Sequence, residues 1–256
     1  MCDLWQNTLP ETVPPGAISR QIDYALAQLA SRPEQIKLYN SGSFFDPLAI
    51  PLTDYAAISE RVSSSRHVVV ESHPRLVGER ALRLRDLLSG SLEVAMGLET
   101  VHPEILPRLN KKFTLAHFAK AAEFLQQAGV AVRAFVLVKT PFMSEAEGLE
   151  WAVKSAEFAF DCGASVVSLI PTRPGNGAMD HLLATGEFSP PRLATLEKAL
   201  AAALALRRGR VFADTWNLEP FATCSACLPP RRHRLHEINL QQQNRPGIAC
   251  PVCGEL

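Results

Sequence analysis

Three features of the 256-residue chain predict an α/β fold with parallel strands. Short apolar runs alternate with amphipathic helical patterns along most of its length. The runs are rich in Val, Ile, Leu or Phe and are short enough to be buried strands. The alternation then stops near residue 214, where a tail rich in Cys, Pro, Arg and Gln begins. Strands separated by helices pair in parallel through right-handed crossovers. A barrel and an open doubly wound sheet both satisfy this pattern.

The strand runs fall at 36–40, 67–71, 92–97, 130–138, 165–170 and 210–213. A helix precedes the first of them, with Ile18, Ile22, Ala25, Leu26 and Leu29 at helical spacing after Pro14-Pro15-Gly16. The clearest helical pattern is 114–129. Thr114 suits the N-cap, Leu115, Phe118, Ala119 and Ala122 form one stripe, and Gly129 suits the left-handed end position. Ser144 and Glu147 read as a capping box opening a helix that ends near Gly163. Pro190-Pro191 opens an Ala/Leu helix that runs through Leu206. The repeat thus opens on a loop and a helix, as though its first strand were missing.

Composition narrows the function classes. A hydrophobic fraction of 47% supports a sizeable core. Lys+Arg and Asp+Glu both number 26, so net charge directs the chain toward neither nucleic acid nor an acidic surface. No apolar run approaches the roughly 20 residues that span a membrane. Met1-Cys2-Asp3-Leu4-Trp5 shows no leader pattern, so a cytoplasmic, reducing location is expected. There, six cysteines are metal ligands or free thiols rather than disulfides. No GxGxxG or GxxxxGK[ST] follows a strand, which leaves those nucleotide folds unsupported.

Polar residues gather where strand runs end, which is where parallel β/α folds bind ligands. The first run leads into Asn40-Ser41-Gly42-Ser43-Phe44, the second into Glu71-Ser72-His73-Pro74 and the third into Gly97-Leu98-Glu99-Thr100. Glu71 and Glu99 are expected to face one mouth. Arg133 and Lys139 share parity in or just after the 130–138 run, and a charge in an apolar strand needs a partner or a polar lumen. Both are candidate catalytic residues; structural ion pairing is the competing reading. The fifth run ends in Ile170-Pro171-Thr172-Arg173-Pro174-Gly175-Asn176-Gly177, a long polar loop.

Segments 37–46, 70–74, 97–100 and 109–114, in this order and spacing, resemble a radical S-adenosylmethionine (radical SAM) subfamily. That subfamily is related to the elongator catalytic subunit and is closest to the radical SAM subunit of archaeosine synthase. The resemblance covers roughly residues 2–215. It implies a partial (β/α) TIM-like barrel over 1–214, lacking its first strand here, followed by a small module at 215–256. It further implies a [4Fe–4S] cluster held by a CxxxCxxC loop, S-adenosylmethionine (SAM) on the fourth iron, and reductive SAM cleavage to a 5′-deoxyadenosyl radical. An electron donor such as flavodoxin or ferredoxin and a tRNA substrate are the implied partners.

By that resemblance Cys2 is the last cluster cysteine, and the two earlier ones would lie seven and three positions before it, upstream of Met1. A start placed late is the reading preferred to a degenerate homologue. Asn40, Ser41, Gly42 and Ser43 match the segment that receives the SAM amino group. Glu71 and Glu99 match strand-end positions near its ribose and amino acid, Lys111 a basic position for its carboxylate, and the backbone around Val138, Pro171 and Thr172 the adenine side. The rivals are a cluster-less, metal-stabilised RNA- or protein-binding module, and an unrelated barrel enzyme using Glu71 and Glu99 as acid and base.

The tail carries the most specific spacing in the chain. Cys224, Cys227, Cys250 and Cys253 form two CxxC pairs, and each pair turns two thiolates onto one ion. Zn²⁺ is the first expectation and an auxiliary Fe–S cluster the second. Between the pairs, Arg231, Arg232, His233, Arg234 and His236 are expected on a solvated helix face, with RNA phosphates as the sharper alternative. Cys162 is expected as a small buried apolar residue.

Overall fold

The computed structural model describes residues 11–40, 42–175 and 177–253. Cys2 and Ser41 lie outside the described residues. The strands are β1 (Gln35–Leu38), β2 (His67–Ser72), β3 (Ser91–Glu99), β4 (Ala131–Val138), β5 (Val166–Pro171) and β6 (Arg210–Ala213). The helices are α1 (Ala17–Ala27), α2 (Tyr55–Arg61), α3 (Glu79–Leu87), α4 (Ile105–Arg108), α5 (Leu115–Gln127), α6 (Glu145–Asp161), α7 (Ala178–Ala184), α8 (Leu193–Ala205) and α9 (Leu228–Gln241). Strand order follows chain order, β1-β2-β3-β4-β5-β6. β1 pairs with β2, β2 with β3 and β5 with β6, each in parallel. All six expected strands form, with ends that agree to within two residues.

The chain divides into two compact units, one of residues 11–97 and 115–133 and the other of 98–114 and 134–253. In the first unit, Val68, Val69 and Val70 of β2 are all fully buried, as expected of a strand covered on both faces. Val69 aligns with Lys37 and Glu93, and Glu71 with Ala95, so the odd positions of β1, β2 and β3 share one face. That face is the polar one. α5 buries Phe118, Ala121, Ala122 and Leu125, and Gly129 closes it at φ +70°.

In the second unit, Ser144 caps α6 with the expected box. Its Oγ accepts from Glu147 N at 3.3 Å, and a Glu147 carboxylate oxygen accepts from Ser144 N at 2.8 Å. Those bonds hold the Glu147 carboxyl below its ordinary value. α6 presses onto the end of β4 through Gly148. A Cβ there would lie 2.6 Å from Lys139 Cβ and 2.9 Å from Lys139 Cα. α8 buries Leu193, Leu196, Ala199, Leu200 and Ala203, beginning three residues after Pro190. Cys162 caps α6 half-buried rather than fully enclosed.

The tail contains α9, whose sequence gave no apolar stripe. Arg231 and Arg234 are buried on it, 1% and 9% exposed. The expectation of a solvated or RNA-facing run is therefore corrected for these two. Both guanidiniums are committed to Glu197 of α8. Farther along, Asn239 donates to Ala213 O at 2.8 Å and accepts from Ala213 N at 2.9 Å. Gln242 accepts from Val211 N at 2.7 Å and donates to Val211 O at 3.0 Å. Two carboxamides thus occupy the free rungs of β6, the last strand of the sheet.

Candidate cofactor loops and metal centre

In the first unit, the loop after β1 is tied to the end of β2. Asn40 N donates to Glu71 Oε1 at 2.7 Å and Phe44 N to Glu71 O at 2.8 Å. Ser43 Oγ lies 2.9 Å from Ser72 Oγ and accepts from His73 N at 3.1 Å. Asn40 Nδ2 reaches Ser43 O at 3.2 Å. Among the described residues, Asn40 Oδ1 is buried without a hydrogen-bond partner. A buried acceptor left open is costly unless a donor fills it. At Gly42 an added Cβ would approach only Asn40 O, at 4.0 Å, so the chain itself does not require glycine there.

Beneath this loop the polar face holds a buried ion pair. Arg133 Nε donates to Glu93 Oε1 at 2.5 Å, and His67 Nε2 lies 3.2 Å from Glu93 Oε2. His67 Nδ1 in turn lies 2.7 Å from Ser91 Oγ. Arg133 thus finds the partner that a strand charge needs. Glu93, absent from the expected residues, is that partner; its place in an apolar run at the parity of Arg133 was the signal. Tyr39, on the same face, has its phenol pushed up to about 12, chiefly by burial.

In the second unit, β3 ends on Glu99 at φ +64°, with Thr100 N donating back to Leu98 O at 2.8 Å. This is a γ-turn of the strained, positive-φ kind. It delivers the Glu99 carboxylate, 7% exposed, to Lys111 Nζ at 3.0 Å. Asn110 and Lys112, on either side of Lys111, are also left-handed, at φ 54° and 59°. Lys139 directly follows β4 and is left-handed at φ 55°. Its ammonium bonds Ser189 O and Oγ and lies 3.8 Å from Glu145. Burial draws the Lys139 pKa down, against the pull of Glu145. Glu145 also accepts from Thr195 Oγ1, so Lys139 ties α6 and α8 to the end of β4. After β5, Thr172 bonds Val138 O through both N, at 3.2 Å, and Oγ1, at 3.0 Å. Pro171 O accepts from Arg173 Nη1 at 3.2 Å.

The four tail cysteines converge. Their sulfurs all lie within 4.8 Å of one another, with Cys224–Cys227 at 3.4 Å, Cys224–Cys250 at 3.6 Å and Cys227–Cys253 at 3.9 Å. Backbone hydrogen bonds from Cys253 and Val252 draw the Cys250 thiol down to about 6, while burial pushes Cys227 up. This set can hold a metal ion.

No protein-family profile matches the sequence. The chain is 28% identical over 193 residues to archaeosine synthase subunit beta of Methanosarcina acetivorans, covering 72% of this chain and 56% of that protein. It is 33% identical over 129 residues to archaeosine synthase subunit beta of Thermococcus kodakarensis, covering 48% and 40%. Among solved structures, archaeal Elp3 of Methanocaldococcus infernus with an N-terminal deletion superimposes at TM-score 0.62. It is 17% identical, over 90% of this chain and 62% of that one. Coproporphyrinogen III oxidase of Escherichia coli, described as a radical SAM enzyme, gives 0.53 at 11% identity, over 74% and 44%. In sequence the chain is similar to archaeosine synthase subunit beta, and in fold to radical SAM enzymes.

The structural likenesses concern the fold and bear out the expected α/β partial (β/α) barrel. The chain spans about half the length of the curated relatives it matches. Among its described residues no helix is long and apolar enough to cross a membrane. Asn40, Gly42, Ser43 and Glu71 come together in the first unit, and Glu99 and Lys111 in the second. Pro171 and Thr172 join the end of β4, and the four cysteines form one group. Arg133 and Lys139 are each bound within the protein.

Proposed function

We propose that this chain carries the SAM-binding part of a radical SAM enzyme, with Glu99 and Lys111 receiving the amino-acid end of SAM. One observation carries the reading: a strained turn presents a nearly buried carboxylate to a half-buried ammonium at a strand tip. SAM ends in an ammonium and a carboxylate. Each can take one partner of the existing pair, so opposite charges stay matched as the ligand binds. Taken by itself, the first unit offers an open acceptor at Asn40 Oδ1, which suits a ligand donor such as an amino or hydroxyl group. Glu71 fixes the Asn40 backbone, and Gly42 leaves room beside it.

A [4Fe–4S] cluster completed by Cys2 and two further cysteines would supply the electron that cleaves SAM to a 5′-deoxyadenosyl radical. A modified tRNA base is the substrate class we infer, from the likeness to archaeosine synthase. The test uses the protein with all three cluster cysteines, reconstituted without oxygen and reduced with dithionite. We expect 5′-deoxyadenosine, with Glu99→Gln and Lys111→Ala each weakening SAM binding about tenfold or more. Unchanged SAM affinity in both variants removes the pair from the site. No SAM binding at all favours the non-catalytic binding module.

For the tail we propose one Zn²⁺. A tetrahedral ion with Zn–S bonds of about 2.3 Å sets its sulfurs about 3.8 Å apart. The sulfur spacings of 3.4, 3.6 and 3.9 Å bracket that value. A cubane cluster binds each thiolate to a different iron and spreads them farther. Metal analysis of the purified protein tests this, with one zinc and no iron per tail site expected.

A further inference from the structure

The zinc-site cysteines come from two separated pairs, and a single carboxylate on the barrel side touches the machinery of both. Glu197 lies on α8 and is 8% exposed. Its Oε2 accepts from Arg231 Nε at 3.1 Å and Nη2 at 2.5 Å, and its Oε1 accepts from Arg234 Nη1 at 3.3 Å. Arg231 stands one helical turn after Cys227, the N-cap of α9, and its Nη1 lies 4.0 Å from Cys227 Sγ. Arg234 turns its other nitrogens onto the second half of the tail. It donates to Arg245 O at 3.1 Å, Pro246 O at 2.7 Å and Asn244 Oδ1 at 3.3 Å, on the segment leading to Cys250. One arginine therefore steadies the first cysteine pair and the other steadies the approach to the second.

The same helix ends on the sheet. Asn239 and Gln242 make four bonds to Val211 and Ala213 of β6. Metal ligands, guanidiniums, Glu197 and the edge of β6 thus form one continuous chain of contacts along α9.

We propose that Glu197 is a positioning residue for the tail metal, and that metal binding in turn fastens α9 across the open edge of the sheet. This rests on the tetrathiolate reading above. The two effects are reciprocal: whatever Glu197 adds to metal affinity, the metal adds to the docking of α9. Partners that orient metal ligands commonly change affinity by about 10- to 100-fold when removed. The two amide bonds at each edge residue are the part of the chain where loosened docking registers first.

Two measurements test it on the full chain. In the first, zinc affinity is measured by competition with a chromophoric chelator in the native protein and in Glu197→Gln, with circular dichroism and thermal melting confirming that the variant folds. We expect a 10- to 100-fold loss of affinity in the variant. Affinity equal to the native protein overturns the positioning role. In the second, hydrogen exchange is followed in the native protein with zinc bound and after its removal by chelation, so a variant that fails to fold does not decide the matter. We expect exchange at the Val211 and Ala213 amides to accelerate about tenfold or more, while Val94 and Val132, in the other unit, keep their protection. Unchanged edge exchange overturns the fastening with the zinc reading intact. Loss of protection throughout both units also overturns it, because the fastening is local. A chain that binds no zinc removes the metal reading and this proposal together.

Discussion

Arg133 is the residue on which a structural and a catalytic role make opposite predictions. Its Nε lies 2.5 Å from Glu93, and the two side chains are 6% and 1% exposed. Replacing Arg133 with Met removes the charge and keeps most of the stem. Glu93 is then a buried carboxylate that has lost its guanidinium and keeps the His67 contact at 3.2 Å. Breaking a buried pair from one side costs about 3–5 kcal/mol. The surviving imidazole contact places this case at the lower end, about 3 kcal/mol. For a chain of this size each kcal/mol moves Tm by about 2–4 °C, so a drop of about 6–12 °C is expected. Removing both charges, as Glu93→Leu with Arg133→Met, takes away the stranded carboxylate, and such replacements are often neutral or better. The double variant should therefore melt above the single one. Calorimetry of the four proteins in the cycle gives the coupling directly. A single variant within about 1 kcal/mol of native, and a double variant no better than it, would refute the reasoning and return Arg133 to ligand chemistry.

Four further outcomes follow from the same geometry. Cys227→Ser should lose the proposed zinc by elemental analysis and lower Tm, since structural zinc contributes folding free energy outright. Gly148→Ala should cost about 1–3 kcal/mol in chemical denaturation, because its Cβ meets the backbone and Cβ of Lys139 rather than a movable side-chain end. Ser144→Ala should cost about 1 kcal/mol through loss of the α6 cap, and Ser144→Gly less, by the same measurement. The Tyr39 phenol, pushed up to about 12 in the fold, favours the folded state below its unfolded value of about 10 and loses that contribution as pH rises through about 12. Tyr39→Phe should accordingly show a shallower fall in stability across that alkaline window; an identical fall would remove Tyr39 as its source.

The strands were legible because their signal is local. Val68-Val69-Val70 reads as a buried strand from composition alone and is one. The Ser144–Glu147 box needs two residues three apart, and it forms as spelled out. α9 was illegible for the opposite reason. Its buried side includes Arg231 and Arg234, which pass for solvent-facing residues unless their partner is known, and that partner is Glu197, 34 residues upstream of Arg231. The paired CxxC motifs were readable as a metal set, whereas the network behind them was not. At the strand tips, sequence indicated which residues carry charge. Only the fold shows that Glu99 meets Lys111, while Lys139 is committed to Ser189 and Glu145.

Two strand tips carry a full side chain in the left-handed region, Glu99 as the last residue of β3 at φ 64° and Lys139 just after β4 at φ 55°. Such a conformation costs an L-residue about 1–2 kcal/mol, and glycine would adopt it freely. Glycine in place of Glu99 should therefore relax the backbone there, offsetting what is lost with the carboxylate, while removing the group proposed to receive the SAM ammonium. Selection for thermal robustness alone would erode this turn, so laboratory evolution toward higher Tm should accumulate glycine at position 99 unless the proposed SAM binding is selected alongside.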